Sequence, residues 1–193
     1  MLNTTSKFST IAGACAVFAP VVLLCSDIYR LSTNRDFEWS IGLWLAFVLF
    51  VPAVFGFTYQ LVAAGSRLAL VGGGLAFFGA MAGASMQVLF RTYAVLAEQG
   101  AHGAIDQLRS TFKLIASTQM IGLTWPIGLI TLAAALLLTD RKRWMTSLLL
   151  AAGAIAFPIG RIAGSQAAII LSGIFFMGAF GLIGQQLLRR SEV

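Results

Sequence analysis

Apolar residues run through this chain in long, nearly unbroken stretches, near 8–27, 39–63, 68–97, 114–139, 144–161 and 166–188. An α-helix rises about 1.5 Å per residue, so roughly 20 apolar residues cross a hydrocarbon core of ~30 Å. The six stretches suit that length, the fifth at the short end. Polar and apolar positions do not alternate over the runs of about ten residues that a membrane β-strand needs. The pattern predicts an all-α, polytopic integral membrane protein with six transmembrane helices. The breaks at 64–67, 140–143 and 161–165 are short enough to make consecutive helices antiparallel neighbours.

Two breaks are longer, 28–38 and 98–113. In the second, Ala101, Ile105, Leu108 and Phe112 follow helical spacing. His102, Asp106, Arg109 and Lys113 form the polar companion stripe. The segment reads as a short interfacial helix on the outer side, either a lid or a linker resting on the headgroups. It divides the chain into a first three-helix unit at 1–97 and a second at 114–193.

Composition excludes a water-exposed surface. Hydrophobic residues make up 59% of the chain and charged ones 10%, against roughly 25% charged in soluble domains. The bilayer is therefore the principal partner. The net charge of +6 lies at the ends of the spans. Lys7, Arg67, Arg141, Lys142, Arg143, Arg189 and Arg190 fall on one side. Arg30, Arg35, Arg91, Arg109, Lys113 and Arg161 fall on the other, diluted by Asp27, Asp36, Glu38, Glu98 and Asp106. Three consecutive bases in the tight turn at 141–143 decide the orientation. Both termini are expected in the cytoplasm of a bacterial cytoplasmic membrane, the first span remaining uncleaved. The charge is a topology signal, and no nucleic-acid partner is expected. Trp39 and Trp144 each open a span, where an indole sits at headgroup level.

The two units resemble each other. The four prolines, Pro20, Pro52, Pro126 and Pro158, form two pairs, each 32 residues apart, with a shift of 106 between pairs. Lys7 and Lys113 share that shift. In the third spans, Gly74, Phe77, Gly79, Ala80, Gln87, Leu89 and Arg91 recur 99 residues on as Gly173, Phe176, Gly178, Ala179, Gln186, Leu188 and Arg190. Each unit has three spans, an odd number, so the second enters the membrane from the opposite side. The expectation is an inverted 3+3 repeat with a pseudo-two-fold axis in the membrane plane.

Candidate chemistry is sparse. Prolines inside helices free backbone carbonyls a turn earlier, so the four prolines are hinge or kink candidates. Gln87, Gln119 and Thr124 are the polar side chains at depth, and Trp125 stands beside Pro126. These four are the candidate ligand-binding residues, the plainer reading being interhelical bonds and core filling. Asp27, Arg91 and Arg161 come near the outer ends of their spans and are candidates for an ion pair. Small residues recur every fourth position at Gly72, Ala76, Ala80 and Ala84, and at Ala152, Ala156, Gly160 and Gly164. Such ridges serve close packing within one bundle, contact with a second copy, or docking of a membrane partner.

Several chemistries are excluded. The single histidine, His102, cannot support bis-histidine haem ligation or a histidine-rich zinc site. Cys15 and Cys25, ten residues apart, share neither a CxxC motif nor a helix face. No acid pair lies at depth, no phosphate loop appears, and no catalytic, metal-binding or cofactor-binding residue is expected. The leading expectation is binding or passage of a small, largely neutral or apolar solute at a midplane site between the two halves. The alternative is a non-catalytic accessory, assembly or substrate-capture subunit of a larger membrane complex.

Overall fold

The computed structural model describes residues 2–33, 38–115 and 122–191. It is all-helical. Helices α1 (Leu2–Thr33), α2 (Glu38–Ala63), α3 (Leu68–Glu98), α4 (His102–Ile115), α5 (Thr124–Thr139), α6 (Trp144–Ile162) and α7 (Gln166–Ser191) follow in chain order, with a short 3₁₀ turn at Arg141–Arg143. Among the described residues, five of them (α1, α2, α3, α6 and α7) are long and apolar enough to cross a membrane. Their outer surfaces carry Phe18, Leu70, Phe78, Leu148 and Ile174, all half or more exposed. A soluble monomer does not present apolar surface on that scale, and the architecture is consistent with an integral membrane protein.

The fourth expected span, 114–139, is built differently from its reading. Residues 114 and 115 close α4, and α5 has 16 residues, about 24 Å of helix. Pro126 consequently stands in the first turn of α5 rather than mid-helix. There its missing N–H removes no intrahelical bond, unlike those of Pro20, Pro52 and Pro158, which lie inside their helices. α4 packs on the end of α3 through one face, with Ile105 buried and His102 and Asp106 exposed.

Six helices form a closed ring in the order α1, α2, α3, α5, α6, α7 and back to α1. Close approaches show each interface to be antiparallel. Ser26 and Ala12 of α1 meet Gly42 and Gly56 of α2. On α3, Gly72 lies against Leu132, Ala76 against Gly128, and Gly79 against Trp125 of α5. Gly153 and Gly160 of α6 lie against Phe176 and Ile169 of α7, while Gly184 of α7 lies against Gly13 and Val17 of α1. Hydroxyls add cross-links: buried Ser147 Oγ donates to the Ala133 carbonyl at 2.6 Å, and half-buried Ser9 Oγ to the Leu187 carbonyl at 2.7 Å. The ends of α2, α5 and α7 thus share a face with the start of α1. The ends of α1, α3 and α6 share the opposite face with α4.

The α3 ridge of small residues is used inside the bundle, against α5. The ridge expected on the fifth span is not continuous. Gly164 lies beyond α6 in the following turn, and the buried small residues of α6 are Gly153, Ala154 and Gly160.

Burial recurs along the chain. Ala19, Pro20, Leu23, Ser26 and Asp27 of α1 are matched 106 residues later by buried Trp125, Pro126, Leu129, Leu132 and Ala133 of α5. Ala69, Gly72, Gly73, Ala76, Ala80 and Gln87 of α3 are matched at a shift of 100 by Ile169, Ser172, Gly173, Phe176, Phe180 and Leu187 of α7. Phe47, Phe50, Ala53, Val54 and Phe57 of α2 are matched at the same shift by Ser147, Leu150, Gly153, Ala154 and Phe157 of α6. In that register Pro52 corresponds to Ala152, not to Pro158. The turns after α2 and α6 carry the same tripeptide, Ala64-Gly65-Ser66 and Ala163-Gly164-Ser165. Both glycines have positive φ, 93° and 70°, the left-handed conformation that ends a helix without a Cβ clash.

Candidate functional site

The centre of the ring is filled by aromatic rings. Phe47 and Phe50 of α2, Trp125 of α5, Phe157 of α6, and Phe176 and Phe180 of α7 form one cluster. Ring centroids are 5.0 Å apart for Phe50 and Trp125 and 4.9 Å apart for Phe50 and Phe180. The tilted and edge-on geometries are those that aromatic quadrupoles favour. The cluster forms because α3 is thin where it faces these rings. A Cβ at Gly79 would collide with the backbone of Trp125, and one at Gly83 would come within 2.7 Å of the Phe47 ring.

Above Phe47, Trp125 and Phe157 the packing stops short. A cavity of about 160 Å³ remains, completed by Gly79, Gly83, Met86, Gln87 and Phe90 of α3, Gly122 before α5, and Arg161 of α6. Its walls are apolar nearly throughout. It lies toward the face that carries the ends of α1, α3 and α6, and Phe90, 42% exposed, forms its outer rim.

Two charged residues meet at this level. Arg161 Nη2 donates to both Asp27 oxygens, Oδ1 and Oδ2, each at 2.9 Å. Asp27 is completely buried, and the Arg161 side chain is 19% exposed. The guanidinium carbon lies 4.7 Å from the centroid of the Phe157 ring, a cation–π contact. A charge in a low-dielectric interior is tolerated when paired, so each residue licenses the other. Within the pair the two opposite charges offset each other beside the cavity.

Two residues that line the cavity carry unsatisfied polar atoms. Gln87 Oε1 and Trp125 Nε1 are buried and make no hydrogen bond. Gln87 is 7% exposed and Trp125 1%. A buried polar atom without a partner costs roughly 1–3 kcal/mol. Thr58 Oγ1 and both polar atoms of Gln60 are also buried and unsatisfied, but neither residue lines the cavity.

The structure gathers Gln87, Trp125 and Arg161 around one cavity. Thr124 is half-buried and does not line it. Gln119 lies outside the described residues. Arg91 is half-buried on α3, one turn past Gln87. Phe47, Phe157, Gly83, Met86, Phe90 and Gly122 were not singled out from the sequence. Phe157 carried a usable signal: it stands four residues before Arg161, on the same helix face. The others sit in apolar runs where nothing distinguishes a cavity wall from a core residue. Among the described residues, no group of three or more His, Cys, Asp or Glu side chains is placed to hold a metal ion.

No protein-family model, no curated protein and no solved structure matches this chain.

Proposed function

We propose that this chain is a six-helix protein of a bacterial cytoplasmic membrane that binds a small, largely apolar, neutral solute between two inverted three-helix halves. The observation that carries the reading is the cavity of about 160 Å³ walled by Phe47, Trp125 and Phe157. An apolar protein cavity of about 150 Å³ stays dry and accepts benzene. The fitting occupant therefore has the bulk of a six-membered ring. The Asp27–Arg161 pair closes on itself beside the cavity, which favours a neutral occupant over an ion.

Inverted halves are supported by the antiparallel ring, the recurring burial and the shared Ala-Gly-Ser turns. The Pro52 and Pro158 positions speak against part of the correspondence. α5, at about 24 Å, takes the place of the first span of the second half. Cytoplasmic termini are supported by Arg67, Arg141, Lys142, Arg143 and Arg189 on the terminal face. Phe50, Phe176 and Phe180 lie behind the cavity walls and fill the centre. The solute thus binds from the α4 side, and transfer across the membrane requires this cluster to repack.

The test is binding of fluorobenzene to the purified chain in lipid nanodiscs, read by fluorine NMR line broadening. The control is Gly122→Phe, which adds bulk at a residue that lines the cavity, where a Cβ meets no described atom within 4 Å. Saturable broadening that Gly122→Phe abolishes supports the reading. Equal broadening in both proteins, the signature of lipid partitioning alone, overturns it.

A further inference from the structure

We infer that the cavity opens to the bilayer beside Phe90 and takes the end of a lipid acyl chain from the leaflet on the α4 side, which the solute displaces. This rests on the binding site proposed above and adds its route of access and its resident occupant.

The wall on α3 sets the direction of the cavity. Gly79, Gly83, Met86, Gln87 and Phe90 recur at helical spacing and share one face of α3. From Gly79 to Phe90 the helix rises about 16 Å. α5 begins at Thr124, and its Trp125 abuts Gly79. The two helices are antiparallel, so α3 runs on past the start of α5 over that whole length.

The same stretch has the depth of one leaflet. Arg67 and Arg91 bracket the apolar part of α3. Counted from Leu68, Gly79 lies about 16 Å and Phe90 about 33 Å along the helix axis. The hydrocarbon core of a bilayer is ~30 Å thick. The wall therefore reaches from the middle of the core to its boundary on the α4 side, which is the depth and direction of an acyl chain. Phe90 lines the cavity and is also 42% exposed, so the cavity and the outer surface of the bundle meet at one residue.

Volume and walls suit a chain end. A cavity of about 160 Å³ matches the one that holds benzene, so it encloses about six carbons. The rest of the chain and the headgroup stay with the bilayer. A lipid tail gains no hydrophobic stabilisation by leaving other tails. It gains dispersion contact with the rings of Phe47, Trp125 and Phe157 and with the polarizable Met86 thioether. Tethered tails stand at high effective concentration beside Phe90, so a weak preference suffices for occupancy.

The experiment reads Trp125 emission in the full chain with Trp39, Trp44 and Trp144 replaced by Phe. The chain is placed in nanodiscs of plain lipid, or of lipid brominated near the methyl end or near the headgroup end of its tails. Bromine quenches an indole that it touches. Trp125 is 1% exposed, so tails on the outer surface of the bundle do not reach it. Methyl-end bromines are expected to remove most of its emission, and headgroup-end bromines much less. Gly122→Phe is expected to restore the emission, as is fluorobenzene added to the unsubstituted cavity. A second variant that keeps only Trp44, which is 42% exposed on α2, is expected to be quenched with or without Gly122→Phe. Trp125 emission untouched by brominated lipid, or quenched equally in Gly122→Phe, overturns the inference. With saturable fluorobenzene broadening intact, the proposed function still stands. Quenching by free 1-bromohexane and not by brominated lipid overturns the lipid source and assigns the cavity to free hydrocarbons. If brominated lipid, 1-bromohexane and fluorobenzene all fail to distinguish wild type from Gly122→Phe, the proposed function itself falls.

Discussion

A single nitrogen of Arg161, Nη2, lies 2.9 Å from each carboxylate oxygen of Asp27, 134 residues earlier in the chain. The two residues sit on α1 and α6, which are not neighbours in the ring. Their side chains bridge past α7 and tie together helices that otherwise communicate only through intermediaries. The bridge stands at the open end of the bundle, beside the cavity.

Removing one partner leaves a buried charge uncompensated. Asp27→Asn is expected to destabilise the fold by about 3–5 kcal/mol, measured by unfolding in mixed micelles. The double replacement Asp27→Leu with Arg161→Met removes both charges and is expected to recover most of that loss. A double variant as unstable as the single one would mean that Arg161 acts through its stacking on Phe157 rather than through the pair.

The α3–α5 contact makes a sharper demand on side-chain size. At Gly79 a Cβ meets the backbone of Trp125, which has no rotamer with which to yield, whereas at Gly74 nothing lies within 4 Å. Gly79→Ala is therefore expected to destabilise by about 1–3 kcal/mol through overpacking. Gly74→Ala is expected to stabilise by roughly 0.5–1 kcal/mol, the ordinary helix gain of alanine over glycine. Equal thermal shifts for the two variants would contradict the packing at Gly79.

The five long apolar helices were legible because long apolar runs admit few alternatives in a bilayer. The boundary of α3, Leu68–Glu98, falls within a residue of the apolar run at 68–97. The start of α5 was not legible. Leu114 and Ile115 are as apolar as the span they appear to open, yet they belong to α4, whose amphipathic pattern continues through them. Asp27 and Arg161 were legible because charges near span ends are scarce. The choice of Arg161 as partner needed the ring order, which puts the ends of α1 and α6 on one face. The cavity was visible only in part. Gln87 and Trp125 stand out by polarity or size, but Gly83 and Gly122 shape the space by what they lack. The shared Ala-Gly-Ser turns stand in the sequence itself, whereas the burial pattern only half respects the pairing of the prolines.

Those turns can be tested directly. Gly65 and Gly164 adopt φ of 93° and 70°, where a Cβ costs about 1–2 kcal/mol. Among the described residues no atom beyond the chain neighbours lies within 4 Å of a Cβ at either position, so the cost is conformational. Gly65→Ala and Gly164→Ala are each expected to lower stability by that amount, and Gly→Asn replacements by less, since Asn tolerates the left-handed region. Thermal unfolding of the four variants in one detergent gives the comparison. A markedly larger loss at one turn would mean that the two turns are not equivalent elements.

The proposed orientation can be tested on the two faces of the ring without any ligand. Arg141–Arg143 form the 3₁₀ turn between α5 and α6, on the face that carries the start of α1, and His102 opens α4 on the other. Lys142 and His102 are both exposed, so cysteines placed there are accessible to reagent. In a background with Cys15 and Cys25 replaced by alanine, Lys142→Cys in intact cells is expected to resist a membrane-impermeant maleimide until the cells are lysed. His102→Cys is expected to react at once. The basic turn acts through the cost of moving three cations across the membrane, so Arg141→Gln with Lys142→Gln and Arg143→Gln should weaken the asymmetry. Labelling of Lys142→Cys in intact cells would reverse the orientation and place the cavity on the cytoplasmic side.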